Sequence, residues 1–156
     1  MDKFDQQILR LLTSDASLSN TVIGEQVGLS ASQISRRRVK LESDGLIVGY
    51  RAELNHAALG LGLNAFIKVR LHGHSKSSSA NFKKLVHELP SVCLACSVTG
   101  DADYLLHVRV KDLQSLSTLI SEELLAHADV REVRSDVVLD MIKDEKSVDY
   151  QSLTQH

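Results

Sequence analysis

The stretch LSASQISRRRVKLE, residues 29–42, decides the N-terminal fold. Ser30 is a favourable N-cap residue, and Gln33 follows it at the spacing of a capping box. Ile34 and Leu41 lie seven residues apart and share one helical face, which leaves the polar and basic residues on the other faces. A short helix with a polar N-terminal half and an Arg cluster fits the major groove of duplex DNA. An ordinary helix with a solvated basic face has the same pattern, so the flanking segments have to decide.

The segments on either side of this stretch predict two further helices and a link. A first helix opens at Asp2 or Asp5, and a second starts at Ser19 or Asn20. Gly28 ends the second helix, and the basic helix runs from Ser32 to Asp44 before Gly45. The inward residues are then Phe4, Ile8, Leu11 and Leu12 in the first helix, and Val22, Ile23 and Val27 in the second. Three short helices with a glycine turn before the third predict a helix-turn-helix domain over residues 1–54, in which residues 47–54 form an extended link.

The second half changes to the order strand, helix, strand, strand, helix, strand. Asn55, Gly60 and Gly62 mark the break. The predicted strands are 63–71, 92–98, 104–110 and 130–142. One predicted helix carries Phe82, Leu85, Val86 and Leu89 and ends at Pro90; the other is capped by Asp112 and carries Leu113, Leu116, Ile120 and Leu124. The chain is therefore predicted as α+β, with a βαββαβ ferredoxin-like domain over residues 55–143 and a polar tail over 144–156.

Composition excludes several classes of protein. The chain has 156 residues, of which 43% are hydrophobic and 24% charged, and its net charge is −2. No apolar run reaches membrane-spanning length and no secretory leader follows Met1, so a cytoplasmic chain without a membrane partner is expected. The net charge argues against a surface coated in basic residues, but the cluster in residues 36–40 supplies the local charge that phosphate contacts need.

Four motifs together resemble the Lrp/AsnC family of transcription regulators. They are FDQQILRLL (4–12), VGLS (27–30), LESDGLIVGYRAELN (41–55) and VTGDADYLLHV (98–108). The resemblance implies a winged-type helix-turn-helix, an extended linking strand and a βαββαβ ligand-sensing and assembly domain. It also implies dimers with sheets packed back to back, assembly into tetramers or octamers, and small effectors, usually amino acids, bound between dimers. Sequence-specific regulation of transcription in response to such an effector is the expected function.

Two residues depart from the family pattern. Arg38 stands where the family has an apolar residue, and it lies four residues after Ile34 at the edge of the core-facing side. Its stem is expected to pack while its guanidinium reaches water or phosphate. His56 stands where the family tends to have proline, so the link is expected to be less rigid.

Under this resemblance the basic helix carries DNA recognition. The residues expected at base edges lie near its N-terminus: Ser32, Gln33, Ser35 and Arg36. Arg37, Arg38 and Lys40 are expected at phosphates. Arg37 has a structural alternative, an ion pair with Glu42 or another helix carboxylate.

The turn TGDADY, residues 99–104, is the expected effector site. Asp101 and Asp103 would hold the ammonium of an amino acid, and backbone N–H groups around Gly100 its carboxylate. The site also includes Thr99, Tyr104 and, from a neighbouring subunit, Ser135. The alternative is a plain β-turn, since Gly-Asp is common turn chemistry.

Cysteine and histidine residues do not predict a metal or redox site. Cys93 and Cys96 lie three apart in a predicted strand, where they would point to opposite faces, so two buried apolar positions are expected. A single reactive thiol lining the effector site is the alternative. His72 and His74 lie two apart at a strand end without a carboxylate or Cys cluster. No metal, cofactor or catalytic residue is predicted.

Three other functions are alternatives to an effector-responsive regulator. A DNA-organising protein of the same fold would sense nothing. An enzyme of amino-acid metabolism would need a catalytic domain beside the two predicted modules. An RNA-binding βαββαβ domain needs exposed aromatic residues in a K/R-G-F-type motif, which is absent from a chain with only three Tyr, three Phe and no Trp.

Overall fold

A computed structural model of the chain describes residues 1–73 and 75–143. The predicted tail 144–156 and His74 of the histidine pair lie outside the described residues. The chain divides into two compact units, Met1–Glu53 and Leu54–Ile142.

The first unit is the predicted helix-turn-helix. Its helices are α1 (Lys3–Ser14), α2 (Asn20–Val27) and α3 (Ala31–Ser43). Each begins after a side chain that accepts backbone N–H groups of the first turn, namely Asp2, Ser19 and Ser30. Ile8, Ile23 and Ile34, one from each helix, are fully buried and form the centre of this small core.

The turn between α2 and α3 requires two glycines. Gly28 ends α2 with φ of +79°, a conformation that residues with a Cβ rarely adopt. A Cβ on Gly24 would lie 2.5 Å from the carbonyl oxygen of Leu29, so α2 packs directly on the turn backbone. The prediction that Val22 points inward is wrong, since Val22 is 38% exposed. The buried face of α2 passes through Gly24 instead, because this glycine packs on the backbone of the turn.

No strand lies between α3 and β1 in the described residues, so neither a wing hairpin nor a linking strand follows α3. The predicted extended segment 47–54 has no regular secondary structure. A strand is defined by hydrogen bonds to a neighbouring strand, and this single chain offers the segment no such partner.

The second unit is the predicted βαββαβ domain. Its elements are β1 (Leu63–Leu71), α4 (Lys76–Glu88), β2 (Val92–Ser97), β3 (Tyr104–Val110), α5 (Leu113–Thr118) with a π-helical continuation (Leu119–Leu124), and β4 (Val130–Val137). The strands form one antiparallel sheet in the order β2-β3-β1-β4. β4 is shorter than predicted because its partner β1 begins at Leu63, and Val137 is already paired with Ala65.

The helices cover one face of this sheet. Residues 65, 67, 69 and 71 of β1 and 104, 106, 108 and 110 of β3 are buried on that face, as their alternation predicts. The opposite face, called the open face below, has no helix over it. Its central residues are Phe66 and His107, which stack with ring centroids 4.9 Å apart. The strand register also places these residues on it: Asn64, Lys68, Arg70, Leu94, Cys96, Leu105, Arg109, Glu132, Arg134 and Asp136.

Two predictions of burial are wrong in this unit. Leu113, the first residue of α5, is 64% exposed. Further along, the buried positions are Leu119 and Leu124, which lie five residues apart in the π-helical segment. Cys93 and Cys96 are both exposed, because β2 is an edge strand whose ladder shifts register between Val92 and Leu94.

We predict that Gly24→Ala destabilises the first unit by about 1–3 kcal/mol, although alanine favours helix, because its methyl group would collide with a backbone carbonyl. Urea unfolding followed by helical circular dichroism measures the loss. Gln26→Ala, at an exposed position of the same helix, is the control and should be neutral or slightly stabilising. Equal stability of the two variants would show that the turn relaxes freely.

Candidate functional site

The side chains of α3 divide into an exposed set and a set held by neighbouring helices. Ser32, Gln33, Ser35, Arg36 and Lys40 are exposed, whereas Arg37 and Arg38 are half-buried. The helix is fixed by its buried Ile34 and Leu41, so the exposed set is presented on a rigid support.

Arg37 joins α3 to the N-terminus of α1. One of its terminal nitrogens donates to Asp2 at 2.8 Å and to Asp5 at 2.7 Å. The same two carboxylates form the capping box of α1, since Asp2 accepts the N–H of Asp5 and Asp5 accepts the N–H of Asp2. The structural alternative for Arg37, a pair with a helix carboxylate, is therefore present.

The pKa of Asp2 is lowered by the Asp5 N–H and, less strongly, by Arg37. A carboxylate with a lowered pKa stabilises the folded chain above its ordinary pKa of 3.8. That stabilisation is lost as the pH falls through the folded-state pKa, so the bridge is intact at neutral pH.

Arg38 holds the start of α2 and the segment after α3. It donates to Asn20 Oδ1 at 2.9 Å and to the Tyr50 hydroxyl at 3.3 Å, and its guanidinium lies 5.0 Å from the Tyr50 ring centroid. Tyr50 in turn donates to Glu42 at 2.8 Å, and its pKa is raised by burial and by that hydrogen bond. The guanidinium of Arg38, which was expected to reach water or phosphate, is therefore bound within the first unit together with its stem.

The other polar residues at the two ends of α3 also have local partners. Gln33 accepts the N–H of Ser30 at 2.9 Å in the capping box, and the hydroxyl groups of Ser30 and Ser32 are 3.1 Å apart. Lys40 pairs with Asp44 at 2.8 Å, one turn later, which raises the pKa of Lys40. Arg36 is the cation of α3 for which the described part of the chain shows no ion pair or hydrogen bond.

The turn between β2 and β3 is fastened to the end of β1. Asp103 Oδ2 accepts the N–H of Leu71 at 2.8 Å, and the Asp103 N–H donates to the Val69 carbonyl at 3.0 Å. Arg70 Nε donates to the carbonyl oxygen of Asp101. Gly100 has φ of +115°, which favours glycine at this position.

A small cleft lies where this turn meets the open face. It is lined by Lys68, Arg70, Asp101, Ala102, Glu132 and Arg134 and has a volume of about 40 Å³. Glu132 is engaged by both Arg134, at 2.6 Å, and Arg70, at 3.7 Å. Within the described residues the Asp101 carboxylate has no partner. Lys68 pairs with Asp136 at 3.3 Å, so all three cations of the cleft are paired with carboxylates. The cleft thus offers one unpaired anion beside three cations that the carboxylate of a free amino acid would have to share.

Other residues of the predicted effector site lie apart from this cleft. Tyr104 is buried under α4, with its ring centroid 4.6 Å from that of Phe82. Ser135 pairs with Ile67, so β1 separates it from β3 within one chain. Thr99 is exposed at the start of the turn.

Comparison with known proteins covers both units. The AsnC-type helix-turn-helix domain matches residues 1–42, and the Lrp/AsnC ligand binding domain matches residues 64–148. The chain belongs to the Lrp/AsnC family of transcription regulators.

Individual relatives match the sequence or the structure of this Lrp/AsnC chain along nearly its whole length. It is 38% identical to a leucine-responsive regulatory protein of Rhizobium meliloti over 92% of each chain. A Neisseria meningitidis transcriptional regulator, solved as a complex with L-Met, is 34% identical and superposes with a TM-score of 0.93 over 98% of this chain and 99% of that one. An AsnC family regulator from Agrobacterium tumefaciens is 29% identical, with a TM-score of 0.90 over 98% and 99% of the two chains. The predicted DNA-binding regulator is thereby confirmed, and the DNA-organising protein of the same fold that senses no effector is not favoured.

Of the charged residues that line the cleft of this Lrp/AsnC regulator, the sequence predicted Asp101 but not the four on β1 and β4. Lys68 and Arg70 alternate with buried residues of β1, and Glu132 and Arg134 lie on either side of the half-buried Val133 in β4. Charges at every second position of two strands were the available signal, because they mark the open face.

The described part of the chain contains neither a metal-binding cluster nor a membrane-spanning helix. Among residues 1–73 and 75–143, no group of three or more His, Cys, Asp or Glu side chains is arranged to hold a metal ion. No helix in these ranges is long and apolar enough to cross a membrane.

We predict that Arg37→Ala lowers the free energy of unfolding by about 1–3 kcal/mol, because Asp5, which is buried, loses its charged partner. Arg36→Ala, one position away and without such partners, is the matched control and should change it by less than about 0.5 kcal/mol. Urea unfolding of both full-length variants measures the difference. A fully stable Arg37→Ala chain would contradict the structural role of the bridge.

Proposed function

We propose that this regulator reads duplex DNA with the exposed face of α3 and that an amino acid bound at the residue 99–104 turn modulates this reading. The observation that carries the proposal is that three of the four cations of α3 have partners among the described residues, whereas the fourth shows none. Arg37, Arg38 and Lys40 are engaged by neighbouring residues, which leaves the Arg36 guanidinium available beside exposed Ser32 and Ser35.

Arg36 has the chemistry to read a base. A guanidinium forms two parallel hydrogen bonds to O6 and N7 of guanine in the major groove. Ser32, Gln33 and Ser35 add short polar side chains near the helix N-terminus, which is the end that contacts bases in helix-turn-helix proteins. Arg37, Arg38 and Lys40 remain predicted phosphate contacts, and each would have to share its charge with its present partner.

An amino acid suits the cleft in charge but not in size. Asp101 would receive the ammonium, and Lys68, Arg70 or Arg134 the carboxylate. A volume of about 40 Å³ holds only a few water molecules, so a neighbouring subunit has to complete the site. The relative solved with L-Met supports an amino acid as the class of effector.

We further propose that the open face packs against a second copy, as a dimer that assembles into a tetramer or octamer. Phe66, Leu94 and Leu105 give this face an apolar centre. Most of its charged residues lie toward the turn between β2 and β3, whereas Arg109 lies at the other end, opposite Asn64. A two-fold packing of identical faces buries that centre without exposing another. Because the target is chromosomal DNA, the cytoplasm is the proposed place of action.

We predict that Arg36→Ala weakens binding to the preferred sequence by about 1–3 kcal/mol and relaxes base preference, since it loses a base contact. Lys40→Ala should weaken binding to all sequences alike and should reduce the slope of log affinity against log salt concentration by about 1. Fluorescence anisotropy with the selected duplex and a shuffled duplex, at several salt concentrations, separates the two. Unchanged discrimination in the Arg36→Ala chain would remove α3 as the reader.

We predict that one or more free amino acids raise the melting temperature of the parent chain and that Asp101→Asn abolishes this shift while keeping ligand-free DNA binding. The physical reason is loss of the anion that faces the ammonium. Asp140→Asn, an exposed carboxylate of the same unit, is the control and should shift like the parent. If Asp101→Asn responds normally, Asp101 is only a turn residue.

We predict that Phe66→Glu reduces the molar mass in light scattering, because it places a charge in the proposed subunit contact. Ser117→Glu, exposed on the opposite side of the same unit, should leave the mass unchanged. Identical masses for parent and Phe66→Glu would place the contact elsewhere.

A further inference from the structure

An apolar side chain lies on the exposed face of α3 among the proposed base contacts. Val39 is 62% exposed, whereas Ile34 and Leu41 of the same helix are 0% and 2% exposed. A β-branched residue in the solvent-facing part of a helix gains nothing from helix propensity or from burial. The stability of the free chain therefore gives no reason for valine at this position.

The position of Val39 relative to Arg36 is favourable for reading a neighbouring base pair. Ser32, Ser35, Arg36 and Val39 follow the spacing i, i+3, i+4 and i+7, which places them on one helical face. The recognition helix of homeodomains uses this spacing for its groove contacts. At a rise of about 1.5 Å per residue, Val39 lies about 4.5 Å along the axis from Arg36. This distance is little more than one base-pair step of about 3.4 Å.

The major groove presents one apolar group, the C5 methyl group of thymine. We propose that Val39 contacts the methyl group of a thymine next to the base pair read by Arg36, and so gives the regulator a preference for thymine there. This inference rests on the proposed function of α3. Lys40, the next residue, is charged and paired with Asp44, whereas Val39 gives α3 a branched apolar side chain that is exposed beside Arg36.

The test removes the methyl group from the DNA and the side chain from the protein separately. The full-length parent selects its preferred duplex from a random pool, and each thymine of that duplex is then replaced singly by deoxyuridine. Deoxyuridine lacks only the C5 methyl group and keeps base pairing. At one position the parent should lose affinity by about three- to fivefold, the effect expected for one buried methyl group.

The protein variants test whether the Val39 side chain makes the contact with the thymine methyl group. Val39→Ala should bind the thymine duplex about three- to fivefold more weakly than the parent and should not weaken further with deoxyuridine at that position. Val39→Thr keeps one methyl group and should show an intermediate loss. In urea unfolding, Val39→Thr should match the parent and Val39→Ala should be equal to it or slightly more stable, because the side chain is exposed and alanine favours helix.

The outcomes separate the inference from the proposed function. If Arg36→Ala keeps full sequence discrimination, the reading role of α3 itself fails. If Arg36→Ala loses discrimination but every deoxyuridine is tolerated equally by parent and Val39→Ala, the thymine contact is overturned alone. A uniform loss in Val39→Ala with no deoxyuridine effect also overturns it and assigns Val39 to the sugar-phosphate backbone.

Discussion

The Arg37 bridge to Asp2 and Asp5 is the interaction on which the first unit depends. The two carboxylates have to cap α1, and the guanidinium that they attract comes from α3. One set of contacts therefore fixes where α1 begins and how α3 is oriented. Arg38 repeats this arrangement on the other side of α3 through Asn20 and Tyr50. A helix held in this way by its own cations presents the remaining face, with Arg36, on a fixed support.

The second unit is governed by a different constraint, a four-stranded sheet with helices on only one face. Every second residue of β1 and β3 is buried against the helices on that covered face. The open face keeps a Phe66–His107 stack at its centre and charges toward the turn that Asp103 and Arg70 fasten to β1. Proposed assembly and proposed effector binding therefore share one surface. An effector that binds two assemblies with different affinity changes their populations, which is all that coupling to DNA requires.

The sequence predicts the parts of the structure that depend on local chemistry or strict periodicity. The Ser30–Gln33 capping box, the Gly28 turn and the alternation of β1 and β3 all belong to this class. Predictions failed where a long-range or irregular feature intervened. Val22 is exposed because the buried face of α2 passes through Gly24, and the cysteines are exposed because β2 is an edge strand. The partners of Arg37 and Arg38 are distant in sequence, so only the fold could show which cations of α3 are engaged.

The most direct measurement of major-groove reading by α3 is methylation interference on the selected duplex, in which N7 of each guanine is methylated in turn. N7 lies in the major groove, so a methyl group there obstructs a guanidinium that reads the base. If Arg36 reads a guanine, methylation of at least one guanine prevents binding of the parent chain. Binding that tolerates N7 methylation at every guanine would contradict the central role of Arg36.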